Sequence, residues 1–210
     1  MNRDLKQLAD CCCKTGMNIA RIREMFSLLS IDLFNTPENF DVYREELSCI
    51  TALRKSDTDP GFYVGPTHTE RARAYEGSTG VFISCRNLQL EKLFLDNRVG
   101  NSPDNAAVVR VKKATATVTI RHRHKDPDIA ILMGESTLTH IEGLRPLIKE
   151  VMPGLLGYEC VSLQEVKQKE RAPNSSYEVD LAVQVEYQML VTTYEESHRL
   201  KKFGFAVEAE

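Results

Sequence analysis

Residues 114–125 read ATATVTIRHRHK. On a strand, side chains two apart share a face, so His122 and His124 stand where they could hold one metal ion between them. The nearest further ligands are Asp126 and Asp128, and both lie just past the point where the alternation stops. Arg121 and Arg123 flank the histidines and oppose a bound cation. Ala114, Ala116, Val118 and Ile120 lie on the histidine face, so the run reads as an apolar strand face that ends in histidine, and no metal is expected. The second candidate chemistry is a cysteine nucleophile, Cys85 or Cys160, with histidine as base. Arg86 follows Cys85 and would favour its thiolate, yet neither cysteine sits in a nucleophile-elbow or cysteine-protease pattern. The nucleotide-binding glycine motifs, the H-E-x-x-H zinc motif and the deaminase spacing are absent as well. No catalytic residue, no metal and no cofactor is expected.

The elements that position these residues follow from periodicity. Leu5, Leu8, Ala9 and Cys12 form one helical stripe, Gly16 interrupts it, and Asn18 caps a second helix with Ile19, Ile22, Met25, Phe26 and Leu29 on one side. A short strand is expected at Ile31 to Phe34, ended by Pro37, with a helical turn or two over Glu38 to Leu47. Residues 55–79 lose all periodicity and are rich in turn formers, which predicts a long contact loop. GVFISC, from Gly80 to Cys85, reads as a buried strand, followed by a polar excursion through NRVGNSPDN. A long strand spans Ala107 to His124. Its halves place apolar residues on opposite parities, Val109 and Val111 against Ala116, Val118 and Ile120, which predicts a bulge near Lys112 and Lys113. A helix is expected over Ser136 to Met152, bent at Pro146 or starting only near Leu144. Two strands close the chain, Tyr158 to Lys169 and Tyr177 to Thr192. The second alternates Val179, Leu181, Val183, Val185, Tyr187, Met189 and Val191 with polar residues. The sum is an α+β fold, a mostly antiparallel sheet with one helix packed across it and helices at the N-terminus.

Composition bounds the function. With 210 residues, 42% of them hydrophobic and 27% charged, the chain can build one sizeable core. A net charge of −3 argues against generic nucleic-acid binding, which needs a surplus of Lys and Arg. The first residues carry acids and no apolar run of signal-peptide length, and no segment approaches a membrane span, so a cytosolic site of folding is expected. Cys11, Cys12, Cys13, Cys49, Cys85 and Cys160 form no C-x-x-C pair and read as small hydrophobes. Between Asn105 and Lys125 stand six Lys or Arg and no acid; between Tyr177 and Ser197 stand five acids and no Lys or Arg. Strands of opposite charge pair well, either within a sheet or across subunits.

The order of elements resembles that of the tail-terminator and neck proteins of long-tailed phages, in particular the terminators of contractile-tailed, Mu-like phages. The stretches that carry the likeness are IDLFNTPENF, GVFISCRN, TVTIRHRHKD, the helix TLTHIEGLRPLIKEVMPGLLGY and the final YEVDLAVQVEYQMLVTTYEE. The resemblance covers residues 18–194 as one domain, with the long loop 55–79 inside it, an N-terminal helical arm at 1–17 and a C-terminal tail at 195–210. It implies a structural virion protein without catalytic residues, assembled in the host cytoplasm into the tail or neck. Such proteins form a hexameric ring that caps the tail tube and joins the tail to the head connector. The implied partners are five further copies, the tail tube, the sheath, and a head–tail connector or neck protein. DNA only passes through the ring, and no membrane is involved. Another neck adaptor, a baseplate subunit, a regulatory binding module or a small metal- or cysteine-dependent enzyme is the alternative. Cyclic symmetry requires two complementary surfaces on each copy. The candidates are the basic face of Arg121, Arg123 and Lys125 and the acidic face of Glu178, Asp180 and Glu186.

Overall fold

A computed structural model describes residues 3–35, 63–67, 79–91, 98–101, 107–166 and 176–194. The expected turns over Glu38 to Leu47, most of the 55–79 loop and the 195–210 tail lie outside them. Helix α1 runs Arg3–Thr15 and α2 runs Ile19–Asn35. Between them Gly16 adopts φ 75° and returns its amide to the Cys12 carbonyl at 2.9 Å, a left-handed helix end that favours glycine. Asn18 then caps α2 by accepting the Arg21 amide on Oδ1 at 3.0 Å. The residues read as a helical arm are part of the main core, because Leu5, Leu8, Ala9 and Cys12 of α1 join the same buried cluster as the sheet.

The strand expected at Ile31 to Phe34 is instead the last turn of α2. Leu29, Leu33 and Phe34 continue the stripe begun by Ile22, Met25 and Phe26, and all six are fully buried. Four apolar-rich residues before a proline fit either period, and the stripe already established upstream decides it. The Ser30 hydroxyl donates to the Phe26 carbonyl at 2.8 Å, as a helical serine does.

Among the described residues six strands form one sheet: β1 Tyr63–Pro66, β2 Gly80–Glu91, β3 Arg98–Asn101, β4 Ala107–His124, β5 Leu155–Glu165 and β6 Tyr177–Tyr194. Their order is β1-β2-β4-β6-β5, with β3 also paired to β4. β1 lies parallel to β2, and every other pairing is antiparallel. Two sequence expectations are corrected here. Residues 63–66, read as loop, add a short edge strand, and β2 continues past Cys85 to Glu91.

The bulge is also displaced. β4 pairs β6 from Ala107 to His124 without a shift at Lys112 or Lys113, and the extra residue sits in β2, between Arg86 and Gln89. A strand paired on both sides disrupts two ladders if it bulges, whereas an edge strand disrupts one. Asn87 takes the strained position there, at φ 56°, which Asn tolerates better than most residues.

Helix α3 runs Pro127–Val151 and is longer than expected, because Asp126 caps it by accepting the Asp128 amide at 2.9 Å and Pro127 occupies its first turn. It passes through Pro146 without restarting at Leu144. Pro146 is exposed, and the about 3 kcal/mol that an interior proline costs is offset by the burial of Ile141 and Ile148 on either side. α2 covers β1 and β2, and α3 covers β4, β5 and β6. Between the layers lie Ala116, Val118, Ile120, Leu181, Val183, Val185 and Tyr187, all fully buried. Phe26 and Tyr158 meet edge to face at 5.6 Å, and the Tyr158 hydroxyl donates to the Ile141 carbonyl at 2.7 Å. The fold is therefore α+β, with a mostly antiparallel sheet and a helix packed across it. Among the described residues no helix is long and apolar enough to cross a membrane.

Candidate functional site

Position on β4 decides the fate of the two histidines. His122 is fully buried between Val81 of β2 and Val179 of β6, under α3. Its Nδ1 lies 3.3 Å from the Val179 carbonyl and its Nε2 lies 2.8 Å from the Thr137 hydroxyl. The Thr137 hydroxyl donates its one proton to the Met133 carbonyl at 2.8 Å, so its oxygen accepts from Nε2–H of the neutral ring. Burial holds the ring neutral, its pKa lowered to about 4 against the partial support of the Val179 carbonyl and the Asp180 charge. His124, one turn of the pleat further out, is half-buried and accepts the Asp126 amide on Nδ1 at 2.9 Å. Both histidines are thus engaged in holding the β4–α3 corner. Among the described residues no three His, Cys, Asp or Glu side chains are grouped to hold a metal ion.

The thiols are shifted away from reactivity. Burial pushes Cys85 up, only partly offset by Arg23. Burial, then the hydrogen bond and charge of Glu142, pushes Cys160 up to about 12. A nucleophilic cysteine needs the opposite shift. Glu142 has a structural task instead: its Oε1 accepts the Cys160 backbone amide at 3.0 Å, and its other oxygen lies 3.2 Å from the Arg145 guanidinium. Those contacts hold its carboxyl below the usual range in spite of partial burial.

The charged residues meet in a ladder on the helix-free face of the sheet. Arg121 stands directly opposite Asp180, and Arg123 opposite Glu178. Arg121 grips Asp180 with two bonds of 2.8 and 2.9 Å and reaches Glu178 at 3.2 Å. Arg123 donates to Glu178 at 2.8 Å, and its guanidinium lies 4.8 Å from the Phe82 ring centre. Phe82 in turn packs on Tyr63 at 5.2 Å, so the ladder also fastens β1 and β2. Nearer the far end, Lys113 pairs with Glu186 at 3.0 Å and with Glu91 at 3.6 Å. The basic and acidic residues named from the sequence are therefore brought together within one chain, apart from Lys125, which is exposed beyond the strand. Lys113 was missed, although it shares the parity of Arg121 and Arg123; Phe82 and Tyr63 carry no sequence signal for this role.

The sheet edges complete the surface. At β5, two irregularities break the ladder and Glu142 occupies an outward amide. At β2, β1 covers only Gly80 to Ile83, and Arg86 through Glu91 are all exposed. A groove of about 310 Å³ beside β5 mixes Arg145 and Lys149 with Glu159 and Glu186, and so favours neither sign of ligand. No family model matches this chain, and no curated protein does either.

Proposed function

We propose that this chain is a non-catalytic virion protein, a tail terminator whose copies close a six-membered ring on the tail tube and join the tail to the head connector. One observation carries the reading. The groups best suited to chemistry, His122, Cys85, Cys160 and Glu142, are held neutral or tied into the framework, while an 18-residue β4–β6 ladder locked by ion pairs gives a stiff wall. A ring subunit needs such a wall, because it must keep its shape while it is loaded from both sides. The copy number and the tube, sheath and connector partners come from the resemblance of the element order to tail terminators.

Electron microscopy of particles carrying a tagged copy tests the proposal. A single six-fold ring at the head-proximal end of the tube is expected, with overlong or unjoined tails when the chain is withheld. A single copy per particle, or a ring without six-fold symmetry, would remove the terminator reading.

A further inference from the structure

Among the described residues, the second half of β2 has one partner strand. β1 ends at Pro66, opposite Ile83, and the Thr67 amide makes its last bond to the Ile83 carbonyl at 3.0 Å. From Ser84 to Glu91 the strand pairs with β4 alone among the described residues. Arg86 to Glu91 are exposed, including Leu88 at 41% and Leu90 at 47%. An open strand edge that carries exposed leucines is a template for another strand.

The order of side chains on this edge selects the partner. Without the bulge, Arg86 and Glu91 would point to opposite faces, being five residues apart. The extra residue between Arg86 and Gln89 restores them to one face: Arg86 stands opposite Thr117, Gln89 opposite Thr115 and Glu91 opposite Lys113, all on the helix-free side. Leu90, opposite the buried Ala114, lies on the other side. Along the edge the sequence therefore runs Arg86, Leu88, Gln89, Leu90, Glu91, with cation and anion at its ends and a leucine on either side of a central glutamine. This pattern is complementary to itself when reversed. A two-fold axis through Gln89, perpendicular to the sheet, sets Arg86 opposite Glu91 of a second copy and Leu88 opposite Leu90, each pair occurring twice as isologous contacts require, and Gln89 meets its own copy once on the axis. The free length starts at Ser84, just past the end of β1, and runs to Glu91, where β2 stops, so the five positions fit within it.

We propose that a second copy of this chain pairs antiparallel on residues 86–91 of β2, joining two sheets into one across a two-fold axis. The contact is small, and the dimer is of the weak, reversible class. It does not rest on the tail reading: a two-fold contact differs from the head-to-tail contacts of a ring, and it gives the subunit a partner before assembly.

Sedimentation of the purified full chain across a concentration series tests this with two charge reversals. The native chain should dimerise reversibly. Arg86→Glu places like charges opposite one another twice and should weaken the dimer by about tenfold or more, and Glu91→Arg should do the same. The double variant Arg86→Glu/Glu91→Arg recreates both pairs and should recover the native constant to within about threefold. Arg86 is exposed, so the melting temperature of Arg86→Glu should stay close to that of the native chain; Glu91→Arg also gives up the Lys113 pair and should melt slightly lower while remaining folded. Leu88→Lys, which leaves the charges in place, should also give a monomer. A native chain that stays monomeric at every concentration would overturn the inference, as would single reversals without effect or a double variant no better than the singles.

Discussion

The two halves of β2 are the same strand under different rules. Gly80 to Ile83 lie between β1 and β4 under α2, with Val81 and Ile83 fully buried, whereas Arg86 to Glu91 are exposed and, among the described residues, pair with β4 alone. In the first half, side-chain burial fixes register and face; in the second, the ladder to β4 holds the strand alone. The bulge at Asn87 marks the boundary. At the opposite edge, β5, the Glu142 carboxylate caps one amide, that of Cys160, while Val161 beside it is 59% exposed. The difference teaches that edge protection in this fold is local: a carboxylate from α3 caps one amide of β5, whereas among the described residues β2 has no second partner over half its length.

Substitutions that break the comparison should differ most in the core. Val185→Asp in β6 and Ile83→Asp in β2 each bury an unpaired charge, which costs several kcal/mol against a total stability of roughly 5 to 15, so both should be insoluble or unfolded. A soluble Val185→Asp protein with an unchanged melting temperature would show that the wrong face has been taken as core.

Acid should act through the same buried half. His122 titrates near 6.5 when unfolded and only at about pH 4 when folded, because burial disfavours the imidazolium. Between those values the unfolded chain binds a proton that the folded chain refuses, so stability present above pH 6.5 is lost as pH falls toward 4. The loss should approach about 3 kcal/mol. His124 and His140, also lowered mainly by burial, act in the same direction. Denaturant melts at pH 7 and pH 4.5 measure it; His122→Gln should flatten the slope, and an undiminished slope in that variant would place the effect elsewhere.

A smaller effect is expected at the capped amide of β5. Glu142→Ala leaves the Cys160 amide without its carboxylate and should cost about 1 to 3 kcal/mol, whereas Glu142→Gln, which keeps an acceptor, should cost less. Equal losses in the two variants would mean that the Arg145 pair matters and the edge amide does not. The smallest change belongs to the open half: Leu90→Asp should shift stability by no more than about 0.5 kcal/mol, since the side chain is already exposed. A loss as large as that of Ile83→Asp would erase the distinction between the halves.

Much of this architecture was legible where one physical demand dominates. The alternation from Val179 to Tyr187 marks a strand with one face buried, and the structure buries all five of its apolar residues. The stripe of α1, its end at Gly16 and the Asn18 cap were equally readable. The IDLF stretch was not, because four residues satisfy both periods and only packing on β1 and β2 chooses helix. The parity conflict in β4 was real evidence of an extra residue, yet one strand cannot reveal which member of a pair carries it. The start of α3 at Asp126-Pro127 carries a capping signal ten residues ahead of Ser136, where the expected helix begins. At the candidate site the signs of charge fit two strands paired within a sheet as well as two faces paired across subunits, and it is the register of β4 on β6 that joins Arg121 to Asp180 and Arg123 to Glu178 within one chain. The Glu142 contact to Cys160 joins a side chain to a distant backbone amide, and no spacing rule announces it.

The contrast between the halves of β2 is most directly measured by backbone hydrogen exchange over residues 80–91 at low and high protein concentration. The amides of Gly80 to Ile83 should be protected at both concentrations, and outward amides within Arg86 to Glu91 should exchange rapidly when dilute and gain protection when concentrated. Protection that is uniform along the strand, or that ignores concentration, would contradict the account.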